Sequence, residues 1–85
     1  MDAKLTLSDG TELEHSYVIR SGNNLWVYVY AQITFTALFG LLNDPENTAA
    51  ITMKQGDEET VFEGFTDFFC IRKEDDGFIS AGLRK

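Results

Sequence analysis

The segment from Ile33 to Asn43 is the one stretch of this chain that reads as a helix, and it limits how everything else can be arranged. Phe35, Leu38, Phe39 and Leu42 fall at i, i+3, i+4 and i+7, a single apolar stripe at helical period. Thr34 is placed to cap the first turn, and Ile33 to staple against Leu38. Asn43 and Asp44 interrupt the stripe, and Pro45 cannot continue it. The pattern predicts four buried stripe residues, with Thr36 and Asn43 exposed. Asp44 to Thr48 then reads as one further turn, capped by Asp44 with Pro45 in first position.

All the rest reads as strand and turn, so one short helix must cover a mostly β protein. The expected class is α+β in a single domain, 1–85. It has six or seven short, mainly antiparallel strands in a small curved or barrel-like sheet, with one helix at about 34–43. At 85 residues there is room for one core and not for a deep cavity beside it.

Turn chemistry sets the expected registers. After the strand Lys4 to Leu7, a two-residue Asp9-Gly10 loop would place Leu5 and Leu7 opposite Glu14 and Glu12. A three-residue loop with Gly10 left-handed pairs Leu5 with Leu13 and Ala3 with His15 instead. That register aligns Leu5, Leu7, Leu13, His15, Tyr17 and Ile19 along one face of a strand running from Thr11 to Ile19. Glu74-Asp75-Asp76-Gly77 receives the same treatment, which sets Phe69 opposite Leu83 and Ile71 opposite Ala81. Between these, Ser21 to Asn24 and Gln55 to Glu58 read as turns, and Ile51 to Lys54 as a strand. Gly64 divides the long β-rich run from Glu59 to Arg72 into two strands. The last strand, Phe78 to Leu83, predicts order almost to Lys85.

Few residues offer chemistry. His15 is the single histidine and Cys70 the single cysteine, so an intrachain disulfide is excluded. A zinc site would have to be completed by carboxylates. Cys70, between Phe69 and Ile71, reads as a small buried hydrophobe, and His15 as structural or surface. Asp57-Glu58-Glu59 and Glu74-Asp75-Asp76 lie at turns and lack the alternate ligand spacing of a calcium loop. Phosphate loop, serine elbow and redox motif are all missing from the sequence, so an enzyme, a cofactor and a metal are not expected.

The net charge of −7 opposes a phosphate backbone and an anionic membrane surface, leaving a protein partner or self-association. No apolar run reaches the length of a membrane span, and Met1-Asp2-Ala3-Lys4 does not resemble a signal peptide. Cytoplasmic synthesis is the expectation. One feature offers a surface. From Leu25 to Tyr30 both faces are apolar, with Leu25, Val27 and Val29 on one side and Trp26, Tyr28 and Tyr30 on the other. Either the helix stripe packs on the three aromatics, or they form a protein-contact patch. A small ligand-binding module using that aromatic face is the alternative.

Leu5-Thr6-Leu7-Ser8-Asp9-Gly10-Thr11, Leu25-Trp26-Val27-Tyr28-Val29 and Phe62-Glu63-Gly64-Phe65-Thr66 together resemble small proteins carried in prophages of Gram-positive bacteria. The resemblance implies a place in the virion or in its assembly, and no particular site residues.

Overall fold

Four β-hairpins follow one another along the chain, and successive hairpins enter different sheets. The computed structural model describes residues 3–30 and 33–85. The first hairpin is β1 (Ala3–Thr6) with β2 (Glu12–Glu14), the second β3 (Tyr17–Ser21) with β4 (Asn24–Tyr30). Helices α1 (Phe35–Leu42) and α2 (Pro45–Thr48) come next. The third hairpin is β5 (Ala50–Gln55) with β6 (Glu58–Glu63), the fourth β7 (Asp67–Lys73) with β8 (Phe78–Arg84). One sheet has the order β2-β1-β5-β6 and the other β3-β4-β8-β7, with every pairing antiparallel.

Exchanging β1–β4 for β5–β8 leaves both strand orders unchanged, so the topology carries an internal twofold. The β2–β3 and β6–β7 crossings between the sheets correspond as well. At the first, His15 is left-handed (φ 53°) and Ser16 N–H donates to the Ala3 carbonyl at 3.0 Å. At the second, Gly64 is left-handed (φ 84°) and its own N–H donates to the Ala49 carbonyl at 3.0 Å.

The expected class holds at the level of α+β with mainly antiparallel strands. The sheet is not barrel-like, however. Two four-stranded sheets face each other, and the strand total is eight because the expected strand Thr11 to Ile19 is broken at His15. A left-handed residue there shifts the alternation by one. Leu13 and Val18 are therefore buried, whereas His15 and Ile19 are exposed and Tyr17 lies on the outer face.

The two three-residue loops form as expected. Gly10 and Gly77 have φ of 91° and 89°, and Leu5 pairs with Leu13 and Ile71 with Ala81. In both loops the aspartate before the glycine accepts from the second residue after it: Asp9 from Thr11 N–H at 2.9 Å, Asp76 from Phe78 N–H at 3.1 Å. The expected opposition of Phe69 and Leu83 fails. A bulge between Phe68 and Cys70 gives Leu83 to Phe68 and leaves Phe69 as the extra residue.

The core lies between the sheets. Leu5, Leu13 and Ile51 from one meet Leu25, Val27, Val29 and Leu83 from the other, and Leu38, Leu42 and Phe65 complete it. Thr34 caps α1 as expected, its hydroxyl accepting from Ala37 N–H at 3.2 Å, and Asp44 caps α2 through Glu46 N–H at 3.0 Å. Only half the helix stripe is buried. Leu38 and Leu42 are fully covered, but Phe35 and Phe39 remain 41% and 42% exposed. An eight-residue helix sends one narrow line of side chains into the core shared by the two sheets, and the flanks of a wider stripe stay open to solvent. Ser8 ties the first hairpin tip to the second half. Its hydroxyl donates to the Ala50 carbonyl at 2.9 Å and accepts from Ala50 N–H at 2.8 Å.

Candidate interaction face

Directly paired residues of antiparallel strands point to the same side of a sheet, so the registers sort the outer faces. On β2-β1-β5-β6 the outer residues are Glu12, Glu14, Lys4, Thr6, Thr52, Lys54, Glu59, Glu63, Ala50 and Val61. This is a charged, solvated surface, with Lys4 Nζ 3.0 Å from Glu12 Oε2. That carboxylate raises the Lys4 pKa above its ordinary value.

The outer face of β3-β4-β8-β7 has the opposite character. One cross-strand row runs Tyr17, Tyr28, Ser80, Arg72, and the next Ile19, Trp26, Gly82, Cys70. Tyr30 pairs with Phe78 one row beyond. The rings pack on each other: Tyr17 stacks on Tyr28 at 4.9 Å, and Phe78 meets Tyr17 and Tyr30 edge-on at 5.8 and 5.2 Å. Trp26 meets Phe69 edge-on at 5.4 Å, and the Arg84 guanidinium lies 4.4 Å from the Phe69 centroid. Ile19 is 51% and Tyr30 48% exposed.

Trp26, Tyr28 and Tyr30 thus stand together on this face. The helix does not cover them, because Leu38 and Leu42 pack in the core with Leu25, Val27 and Val29 on the other side of β4. Sequence reasoning missed Tyr17, Ile19, Phe69 and Phe78. Unbroken alternation from Thr11 puts the first two on the core face, because nothing local marks His15 as a corner. Phe69 reaches the outer face only through the bulge.

Over Ser80 the face is hollow, because the serine is small and the strands to either side carry Trp26 and Tyr28, and Cys70 and Arg72. The space over Gly82 is filled by the Phe69 ring and Cys70 Sγ. The hollow, lined also by Glu74, has a volume of about 370 Å³. Its polar groups satisfy one another. Ser80 Oγ donates to Glu74 Oε1 at 2.8 Å, and Arg72 Nε donates to the same oxygen at 3.1 Å. The Ser80 hydroxyl and then Arg72 hold the Glu74 carboxyl below its ordinary range. Arg84 and Asp67 pair at 3.3 Å on the neighbouring rim.

His15 lies in the turn between β2 and β3 and Cys70 on β7, and the acidic clusters sit at the β5–β6 and β7–β8 tips. Among the described residues no three His, Cys, Asp or Glu side chains are grouped to hold a metal ion. No helix among them is long and apolar enough to cross a membrane. Comparison with protein families, with curated proteins and with solved structures found no match to this chain.

Proposed function

We propose that this is a non-enzymatic protein-interaction or assembly module that docks through the outer face of β3-β4-β8-β7. The observation that carries the reading is the contrast between two exposed sheet faces of one small fold. One is dressed in Glu, Lys and Thr around the exposed Val61; the other presents Tyr17, Ile19, Trp26, Tyr28, Tyr30 and Phe78. An apolar outer face contributes nothing to the core, whereas aromatic side chains are enriched where proteins meet. A role in phage virion assembly is the form of this proposal that the sequence resemblance suggests.

The hollow over Ser80 suits an inserted side chain better than a free small ligand. Its volume is at the low end for ligand pockets, and its hydrogen-bonding groups are already engaged with one another.

Affinity capture from producing cells, compared between wild type, Trp26→Lys and Thr52→Lys, tests the reading. Retention by wild type and Thr52→Lys with loss by Trp26→Lys is the expected pattern. Equal retention by all three proteins would remove the aromatic face from consideration.

A further inference from the structure

Resting on that docking face, we infer that its occupant is a second copy of this chain. Ile19 of each copy seats over Ser80 of the other, about a twofold axis near Trp26 and Tyr28. Three observations support this arrangement.

The first is self-complementarity. An isologous contact needs a projection and a recess on the same face, placed on opposite sides of the axis. Ile19 projects from the edge strand β3, and the hollow lies over β8, two strands away. Ile19 lies in the row of Trp26 and Ser80 in the row of Tyr28, so the two are two strands apart at about 4.8 Å each and one row apart at about 7 Å, roughly 12 Å in all, with β4 midway. A twofold axis crossing β4 between Trp26 and Tyr28, perpendicular to that line, therefore brings each projection over each recess.

Charge supplies the second. The chain carries −7, yet the charges on this face are paired in place, Arg72 with Glu74 and Arg84 with Asp67. Two such faces meet without a net like-charge contact. Stacked this way, the acidic outer faces of β2-β1-β5-β6 point apart, separated by three sheet spacings of about 10 Å. That distance is well beyond the Debye length of about 8 Å at physiological salt. Association through the acidic faces would instead hold them one spacing apart.

The third is size. Three strands of seven residues and one of five give a face of roughly 19 by 21 Å, so two copies cover about 800 Å² in total. That falls short of permanent complexes and within the transient class. The dimer is accordingly weak, with dissociation in the micromolar to millimolar range.

Sedimentation equilibrium of the purified chain across that range tests the inference, with Ile19→Lys and Thr52→Lys alongside. A monomer–dimer equilibrium is expected for wild type and Thr52→Lys, and at least tenfold weaker dimerisation for Ile19→Lys. Ile19→Cys, treated with a short bismaleimide, should yield a dimer whose cross-link joins Cys at position 19 to the native Cys70 of the other copy. Wild type monomeric throughout, dimerisation indifferent to Ile19→Lys, or a dimer without that cross-link would each overturn the proposal. A monomer that still shows Trp26-dependent capture retires the homodimer and keeps the docking face. Loss of both retires the two together.

Discussion

Phe69 lies over Gly82 so closely that a Cβ built on the glycine would sit 2.5 Å from the ring's Cζ. The bulge at Phe69 and the missing side chain at Gly82 are one device. The ring is carried across β8 and brought edge-on to Trp26. Gly82→Ala must push the ring aside, an overpacking that costs about 1–3 kcal/mol. Denaturant unfolding and Trp26 fluorescence should both respond. Wild-type stability with unchanged fluorescence would show that the ring does not occupy this position.

The helix should divide its stripe energetically. Leu38→Ala and Leu42→Ala empty fully buried sites and should each cost about 2–5 kcal/mol. Phe35→Ala and Phe39→Ala remove half-exposed rings and should cost about 1 kcal/mol or less. Chemical denaturation of the four variants checks this, and equal losses across all four would contradict the observed burial.

Gly77 tests the hairpin register. Its φ of 89° is disfavoured for any residue with a Cβ, so Gly77→Ala should lose about 1 kcal/mol. The space around it is open except for the Tyr30 ring at 3.6 Å, so the loss measures backbone conformation more than crowding. A neutral substitution in thermal unfolding would argue against a three-residue loop.

Thr48 is fully buried, and its hydroxyl oxygen has no hydrogen-bond partner among the described residues. Thr48→Val keeps the shape and removes the unsatisfied group. Stability should stay level or rise by about 1 kcal/mol. A loss above that size in equilibrium unfolding would reveal a partner for this hydroxyl.

Glu74 gives a pH dependence. Its folded pKa lies below the ordinary value of 4.5, first through the Ser80 hydroxyl and then through Arg72. A depressed carboxylate stabilises the fold above its unfolded pKa, and that contribution fades as pH falls through the folded pKa. The acid limb of the stability profile should therefore depend on Glu74 below about pH 4.5. Ser80→Ala removes the larger cause, so the carboxyl resonance of Glu74 should titrate at higher pH by NMR. An unchanged midpoint would place the hydroxyl elsewhere.

Local features of this protein were legible in its residues because they depend on neighbours a few positions away. Gly10 and Gly77 mark left-handed loop ends, and with the apolar alternation they determine the pairings of Leu5 with Leu13 and Ile71 with Ala81. Thr34, Asp44 and Pro45 determine where the helices begin, and Gly64 where two strands part. The grouping of Trp26, Tyr28 and Tyr30 on one side of a strand follows from the period of two.

Tertiary structure decided which side of that strand faces water. Val27 is wholly apolar and compact, Tyr28 carries a hydroxyl, and the core between two sheets accepts the first and leaves the second outside. It also decided the corner at His15. A left-handed histidine is locally unfavourable by about 1–2 kcal/mol. The burial of Leu13 in one sheet and Val18 in the other offsets that cost, and this gain comes from residues distant in the chain. The twofold order of the sheets leaves no repeat in the sequence for the same reason. It arises from β1 meeting β5 and β4 meeting β8, contacts between strands about fifty residues apart that no local pattern encodes.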